Sequence, residues 1–414
     1  MVFDYYTVGL LTLAAGFLMA YGIGANDVAN AMATSVGSKA LKMRQALLIA
    51  AVFEFTGAFF AGSSVTSTIR KGIVPEAAFG SGDILILAML AALLSAGLWL
   101  LVASWRGWPV STTHSIVGAI VGVAIASAGV SSVEWNKVVE IMMSWVVSPL
   151  LAGSMAFALG YFVRKRILES NEPLVQAKRI VPYLVFLTAF MVAGVMFLKG
   201  LKHVGLEISL VGSLGIAFVF AVISGLVSHF KVAKVNADDG DETKAVERVF
   251  VYLMIVTACA MAFAHGSNDV ANAIGPVAAI LGVIASDGEI GSESIVSTWA
   301  LAVGALGIVV GLLTLGRHVM KRVGESITKL TPSRGFAAEL AAASTVVTAS
   351  VMGLPISTTH TLVGAVIGVG MTTLGVKGVT WSSVTTIVAS WLVTLPIGAG
   401  LAALIFLILK AIML

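Results

Sequence analysis

Apolar residues run along this chain in stretches of roughly 18 to 30, each enough to cross a hydrocarbon core of about 30 Å, with short polar breaks between them. Tyr6–Val36 and Gln45–Val65 are the first two such stretches. Two shorter ones, Ile84–Ser104 and Val110–Ala126, meet at Trp105-Arg106-Gly107-Trp108-Pro109, a helix-breaking junction that predicts a re-entrant hairpin or two thin spans. Val138–Val163, Val181–Leu198 and Leu206–Ser228 follow, and the second half repeats the pattern of the first. The fold class this predicts is an all-α polytopic membrane protein, with two inverted-topology repeats, broken helices, re-entrant helical hairpins and about 10–12 membrane segments. The first stretch follows Asp4 and lacks a basic leader and a small-residue cleavage site, so it reads as a permanent span.

Composition agrees. Of 414 residues 58% are hydrophobic and 11% charged, with a mean hydropathy of +1.01, too little polar surface to coat a soluble globule. The net charge of +4 does not indicate nucleic acid, because the basic residues sit in loops rather than on one face. They cluster at Lys39–Arg44, Arg164–Arg179, Lys231–Arg248 and Arg317–Arg334, all placed in the cytoplasm by the positive-inside rule, with acidic Asp287, Glu289 and Glu293 outside. The expected location is a cell membrane, crossed many times. Cys259 stands alone in an apolar segment, so no disulfide forms within the chain; it reads as a small buried hydrophobe.

The repeat is visible residue by residue. Gly24-Ala25-Asn26-Asp27-Val28-Ala29-Asn30-Ala31 returns as Gly266-Ser267-Asn268-Asp269-Val270-Ala271-Asn272-Ala273, and Pro109-Val110-Ser111-Thr112-Thr113-His114 as Pro355-Ile356-Ser357-Thr358-Thr359-His360. The offsets, 268 − 26 = 242 and 357 − 111 = 246, are nearly constant, which marks one duplicated unit. Residues 1–163 form the first repeat, 164–248 the connecting spans and loops, and 249–414 the second repeat. Counting crossings, copy one starts outside and copy two inside, so the copies run antiparallel.

The motifs carry opposite chemistries. An aspartate in an apolar span costs on the order of 2.5–3.5 kcal/mol and usually faces a pathway or a partner. Asn26, Asp27 and Asn30, like Asn268, Asp269 and Asn272, offer hard oxygens that suit a small cation such as sodium; the alternative is interhelical hydrogen bonding. Gly22, Gly24 and Gly266 would let the helices break and free backbone carbonyls for the same shell. In the second motif, Ser111 and Ser357 are natural N-caps after Pro109 and Pro355. The first-turn amides with Thr112, Thr113, Thr358 and Thr359 make a donor-rich pocket of the kind that binds phosphate. A pocket with two aspartates and an anion repels itself unless cations enter, so cation coupling follows from the charge count. His114 and His360 read as structural bonds to neighbouring helices or as proton relays, and Glu54 and Glu339 as further intramembrane carboxylates. Arg106 reads as snorkelling. No enzyme fits: an aspartyl protease needs no Ser-Thr-Thr motif, and a Ser-His hydrolase would need two active sites.

The duplicated Gly-x-Asn-Asp-Val-Ala-Asn-Ala and Pro-x-Ser-Thr-Thr-His motifs resemble, over essentially the whole chain, the inorganic phosphate transporter family of sodium- or proton-coupled symporters. The resemblance implies phosphate as substrate and co-transported sodium ions, with no organic cofactor. It carries sodium ligands onto Asn26, Asp27, Asn30, Asn268, Asp269 and Asn272, and phosphate ligands onto Ser111, Thr112, Thr113, Ser357, Thr358 and Thr359. It also implies a homodimer in the bilayer. A proton-coupled phosphate or sulfate permease of the same architecture is the alternative.

Overall fold

The computed structural model describes residues 4–197, 208–237, 241–290, 296–323 and 327–414. Val181–Leu198, Leu206–Ser228 and the acidic outer set are therefore followed only in part, since Leu198, Leu206 and Glu293 lie outside the described residues. In chain order the helices are α1 (Tyr5–Gly37), α2 (Met43–Ala61), α3 (Ser63–Ser67), α4 (Gly82–Arg106), α5 (Thr112–Ala128), α6 (Trp135–Val163), α7 (Pro173–Val195) and α8 (Leu210–Ala233). They continue as α9 (Glu242–Asp269), α10 (Ala271–Ala285), α11 (Thr298–Thr314), α12 (Gly316–Val323), α13 (Pro332–Val351), α14 (Thr358–Leu374) and α15 (Trp381–Met413). Among the described residues nine helices are long and apolar enough to cross a membrane, and α5 and α11 are shorter apolar helices. The chain is a multi-pass, all-helical membrane protein.

The breaks fall where local chemistry puts them. α4 ends at Gly107 in the left-handed region (φ 67°), and α13 is followed by Gly353 in the same region (φ 71°), a conformation that favours glycine. An extended proline segment follows each, and the next helix starts at a serine cap. The two junctions touch the interior of α1 through Asn26 and the join between α9 and α10 through Asn268, rather than an end of the molecule. Both hairpins, α4–α5 and α13–α14, thus turn inside the protein.

The packing is reciprocal. α1 lies against α11 as α9 lies against α2, α6 against α14 as α15 against α5, and α4 against α1 as α13 against α9. Glycines set these approaches. A Cβ on Gly24 would sit 1.9 Å from Ile308 O, and one on Gly266 would sit 2.2 Å from Glu54 O. Gly122 and Gly368 meet Ala399 O and Gly153 O in the same way, at 2.2 and 2.1 Å. With hydrocarbon outside, helix association relies on such close contact rather than on a hydrophobic drive.

This corrects one expectation. Gly22, Gly24 and Gly266 do not unwind their helices; α1 is continuous through Asn26 and Asp27 to Gly37. In the second copy the interruption is one residue, Val270, with near-helical dihedrals (φ −57°, ψ −29°). Gly24 and Gly266 admit a neighbouring backbone and Gly22 the Leu100 side chain, so close packing rather than unwinding is what these glycines serve. Cys259 is free and only partly buried.

α6, α7, α8 and α15 form the outer faces, exposing Leu150, Tyr183, Val211, Phe230 and Leu392. The basic clusters converge on one end. Arg164 donates to Thr372 O at 2.7 Å, and Arg334 donates to the adjacent Thr373 hydroxyl. Lys178 donates to Ala233 O at 3.1 Å, and Glu247 accepts from Ser333 N at 2.8 Å. A cavity of about 520 Å³ opens there between Ser38, Lys39, Glu247, Lys329 and Thr380. At the opposite end Tyr5, Gly82 and Gly288 come together.

Gly266→Ala forces α2 and α9 apart and should cost about 1–3 kcal/mol, read as a lower midpoint of thermal unfolding in detergent. Gly400→Ala, where a Cβ meets nothing within 4 Å, should leave the midpoint unchanged or slightly raised. Equal midpoints for the two variants would refute the close-approach account.

Candidate functional site

The centre is built from the two sequence motifs, each copy reaching into the other. Asn26 holds the tip of its own hairpin, donating to Ser104 Oγ (3.3 Å) and Trp108 O (2.9 Å) and accepting from Val110 N (3.1 Å). Asn268 does the same for the second hairpin, donating to Ser350 Oγ (3.0 Å) and Leu354 O (3.3 Å), while its Oδ1 is buried without a partner. One turn on, the second asparagine of each motif crosses to the other copy. Asn30 Nδ2 donates to Thr358 and Thr359 Oγ1 at 3.3 and 2.8 Å, and Asn272 Nδ2 to Thr112 and Thr113 Oγ1 at 3.4 Å each. The i, i+4 spacing of the asparagines puts both jobs on one helix face.

The helix N-termini converge at the same place. Ser111 Oγ accepts from His114 N, and Ser357 Oγ from His360 N, both at 3.2 Å, so both expected caps form. Thr113 donates to Ile356 O at 3.0 Å and Thr359 to Val110 O at 3.4 Å, which sews each N-terminus to the segment leading into the other. The positive ends of α5 and α14 thereby face a common centre. His114 Nδ1 meets Trp391 O at 3.3 Å and His360 Nδ1 meets Trp145 O at 3.1 Å, as the structural reading of these histidines expects. Trp145 O is available because Pro149, four residues on, has no N–H to give it.

Beside these donors lie the carboxylates. Asp269 Oδ2 accepts from Thr358 Oγ1 at 2.9 Å, while neither Asp27 oxygen has a hydrogen-bond partner. Between them stands His265, which sequence reasoning did not single out. Its Nε2 lies 3.2 Å from Asp269 Oδ2 and 3.9 Å from Asp27 Oδ2, and its Nδ1 lies 3.2 Å from Glu54 Oε2. Ligand atoms of Asp27, His265 and Asp269 all fall within 4.8 Å of one another, a group able to hold a cation. Glu54 is thus one side of a four-member cluster with His265, fully buried and away from lipid. One signal for His265 was present: it precedes Asp269 by four residues on the same helix.

Glu339 belongs to a separate group. It accepts from Thr34 (2.5 Å), Ser35 (2.7 Å) and Thr257 (2.8 Å), joining α1, α9 and α13. Arg106 is exposed, its guanidinium 5.5 Å from the Trp105 ring and 5.6 Å from the Trp108 ring. All twelve residues of the duplicated motifs expected to bind ions are at most 3% exposed, so this conformation is closed at both ends. In that sealed interior a set of anion-type donors touches a set of cation-type acceptors.

Comparison with known proteins agrees over the whole length. Residues 23–402 match the model of the phosphate transporter family (PHO4). The chain is 48% identical over 407 residues to a Haemophilus influenzae protein named "Putative phosphate permease", covering 97% of this chain and 96% of that one. To an Arabidopsis thaliana protein named "Inorganic phosphate transporter 2-1, chloroplastic" it is 43% identical over 416 residues, covering 95% of this chain and 70% of the relative. A solved structure titled "The sodium-dependent phosphate transporter" superposes with a TM-score of 0.91 at 40% identity, covering 98% of this chain and all of that one. The duplicated motifs, the closed polar centre and these matches place the chain in the phosphate transporter family, as a multi-pass membrane transporter and not an enzyme.

Proposed function

We propose that this protein is a sodium-coupled phosphate symporter working by alternating access around the central site. One observation carries the reading: the second asparagine of each cation motif, Asn30 or Asn272, donates directly to the threonines of the other copy's anion motif. Donation from Nδ2 leaves the amide oxygens of these residues for a cation. Sodium ions are held by oxygens of Asn26, Asp27, Asn30, Asn268, Asp269 and Asn272, and phosphate by Ser111, Thr112, Thr113, Ser357, Thr358 and Thr359. Asn26 contributes least, since its oxygen already accepts from Val110 N. Each bound ion compensates the other's charge in a buried site, so loading one raises affinity for the other. The solved relative titled as sodium-dependent supports the choice of ion.

In this reading residues 1–163 and 249–414 are inverted copies joined by 164–248. Five crossings separate the start of α1 from the start of α9, an odd number that reverses direction. The protein pairs as a homodimer in the plane of the membrane. Proton coupling is the second reading, favoured by His265, whose ring stands among Glu54, Asp27 and Asp269 where a proton can be taken up and passed on.

Radiolabelled phosphate uptake into proteoliposomes under an inward sodium gradient at equal pH should collapse when potassium replaces sodium. Uptake that ignores sodium and follows a proton gradient would instead establish the second reading. Asp27→Asn and Asp269→Asn should each abolish driven uptake without preventing insertion; uptake that survives either change removes that aspartate from coupling. Thr112→Val with Thr358→Val should weaken phosphate affinity about tenfold or more, and an unchanged affinity would sink the anion assignment. In a double-mutant cycle, His265→Leu and Glu54→Leu should be non-additive in thermal stability by about 0.5–3 kcal/mol. Additive losses would mean that the two side chains do not interact.

A further inference from the structure

Holding helices together accounts for only half of each histidine in the Ser-Thr-Thr-His runs. The rings of His114 and His360 lie 4.6 Å apart, edge to face, where the N-termini of α5 and α14 converge. Each is packed on a tryptophan, His114 on Trp145 at 3.8 Å and His360 on Trp391 at 3.5 Å between ring centres. A backbone carbonyl only accepts, so the contacts to Trp391 O and Trp145 O put the hydrogen on Nδ1 in both rings. In a neutral imidazole the other nitrogen, Nε2, is then an acceptor and nothing else. Both Nε2 atoms are buried and neither has a hydrogen-bond partner. A buried acceptor left unpaired is costly, and here the cost is present twice, once in each copy.

Apart from the carboxylate and asparagine oxygens assigned to the cations, what the site offers an anion is donors: hydroxyls, amides and helix N-termini. Donors match the bare oxygens of a tetrahedral oxyanion. Two fixed acceptors match something that only a protonated oxyanion carries, an O–H. We propose that His114 and His360 are specificity-determining residues, their Nε2 atoms accepting P–OH hydrogens of protonated phosphate, one from hydrogen phosphate or two from dihydrogen phosphate, and rejecting oxyanions without a hydroxyl. The assignment rests on the phosphate site proposed above. Sulfate at neutral pH brings no hydrogen and would leave both acceptors unpaired, the kind of mismatch that discriminates strongly. Trp391 adds a matching feature, because its Nε1 donor is also buried and unpaired, whereas its counterpart Trp145 Nε1 donates to Pro355 O at 3.3 Å. Acceptors for P–OH and a donor for P–O therefore stand ready together.

The test is competition against radiolabelled phosphate uptake in proteoliposomes holding the intact protein. With the unmodified chain, arsenate, which keeps an O–H, should compete at concentrations similar to phosphate, whereas sulfate and monofluorophosphate, which carry none at neutral pH, should require about a hundredfold more. Monofluorophosphate competing as well as phosphate would overturn the proposal without any mutation. An asparagine amide can replace Nδ1 as donor to the tryptophan carbonyl but has no atom at Nε2, while glutamine places an amide near Nε2. His114→Asn and His360→Asn should therefore raise KM for phosphate about tenfold or more and narrow the gap to sulfate, with glutamine variants partly restored. If the asparagine variants match the unmodified protein in KM and in selectivity, the histidines are only structural and the proposal fails. If the unmodified protein takes up no phosphate under any gradient, the phosphate reading itself fails, an outcome distinct from uptake without selectivity.

Discussion

Three carboxylates and one imidazole packed together, with no lysine or arginine beside them among the described residues, impose the constraint on which this molecule turns. Asp27, Asp269, Glu54 and His265 are all essentially fully buried, and their spacing is set by backbones brought into contact through glycine. One imidazole cannot balance three acidic groups if all are ionised. Charge must come from elsewhere, either as protons or as cations that arrive with the cargo. The same scarcity of charge fits the neutral donors of the two Ser-Thr-Thr runs, which the proposed function assigns to phosphate. A permanent cation there would satisfy the aspartates and leave no need for a second ion.

Duplication solves a positioning problem. Each Asn-Asp motif grips its own hairpin with the first asparagine and the opposite hairpin with the second. A single copy would leave the second asparagine and the first-turn threonines without partners in the middle of a bilayer. The unlike chemistries are therefore adjacent in space although they lie some 80 to 90 residues apart within each copy, as the Asp269–Thr358 bond at a separation of 89 residues illustrates.

Much of this was legible in the sequence, and what was not has physical reasons. The hairpin breaks at Gly107 and Gly353 and the caps at Ser111 and Ser357 are local, decided by residues a few positions away, so pattern reading found them. The meeting of the two motifs followed from their repetition. His265 was missed because repetition was the guide and it has no repeat: Ile23 occupies the corresponding place in copy one. Glu54 has no repeat either, its counterpart being Ile308, which meets Gly24 as Glu54 meets Gly266. The glycines before the aspartates were misread because a flexible residue and a small one look alike in a sequence. At Gly24 and Gly266 only the neighbouring carbonyl, contributed by a helix more than 200 residues away in the chain, reveals that size is what matters there.

The reciprocal bonding has an energetic consequence for the transport cycle. Opening toward either side of the membrane parts the same kinds of contacts, since every Asn–Thr bond from copy one to copy two has a twin in the reverse direction. A perfectly symmetric machine of this sort would rest equally well facing in or out. Glu54, His265 and Glu339 break the tie, for their counterparts Ile308, Ile23 and Leu93 are all aliphatic. Polar side chains on one side of the pseudo-symmetry and hydrocarbon on the other make the two resting states unequal in free energy. The duplication therefore did not copy the polar side chains that set the two halves of the buried centre apart.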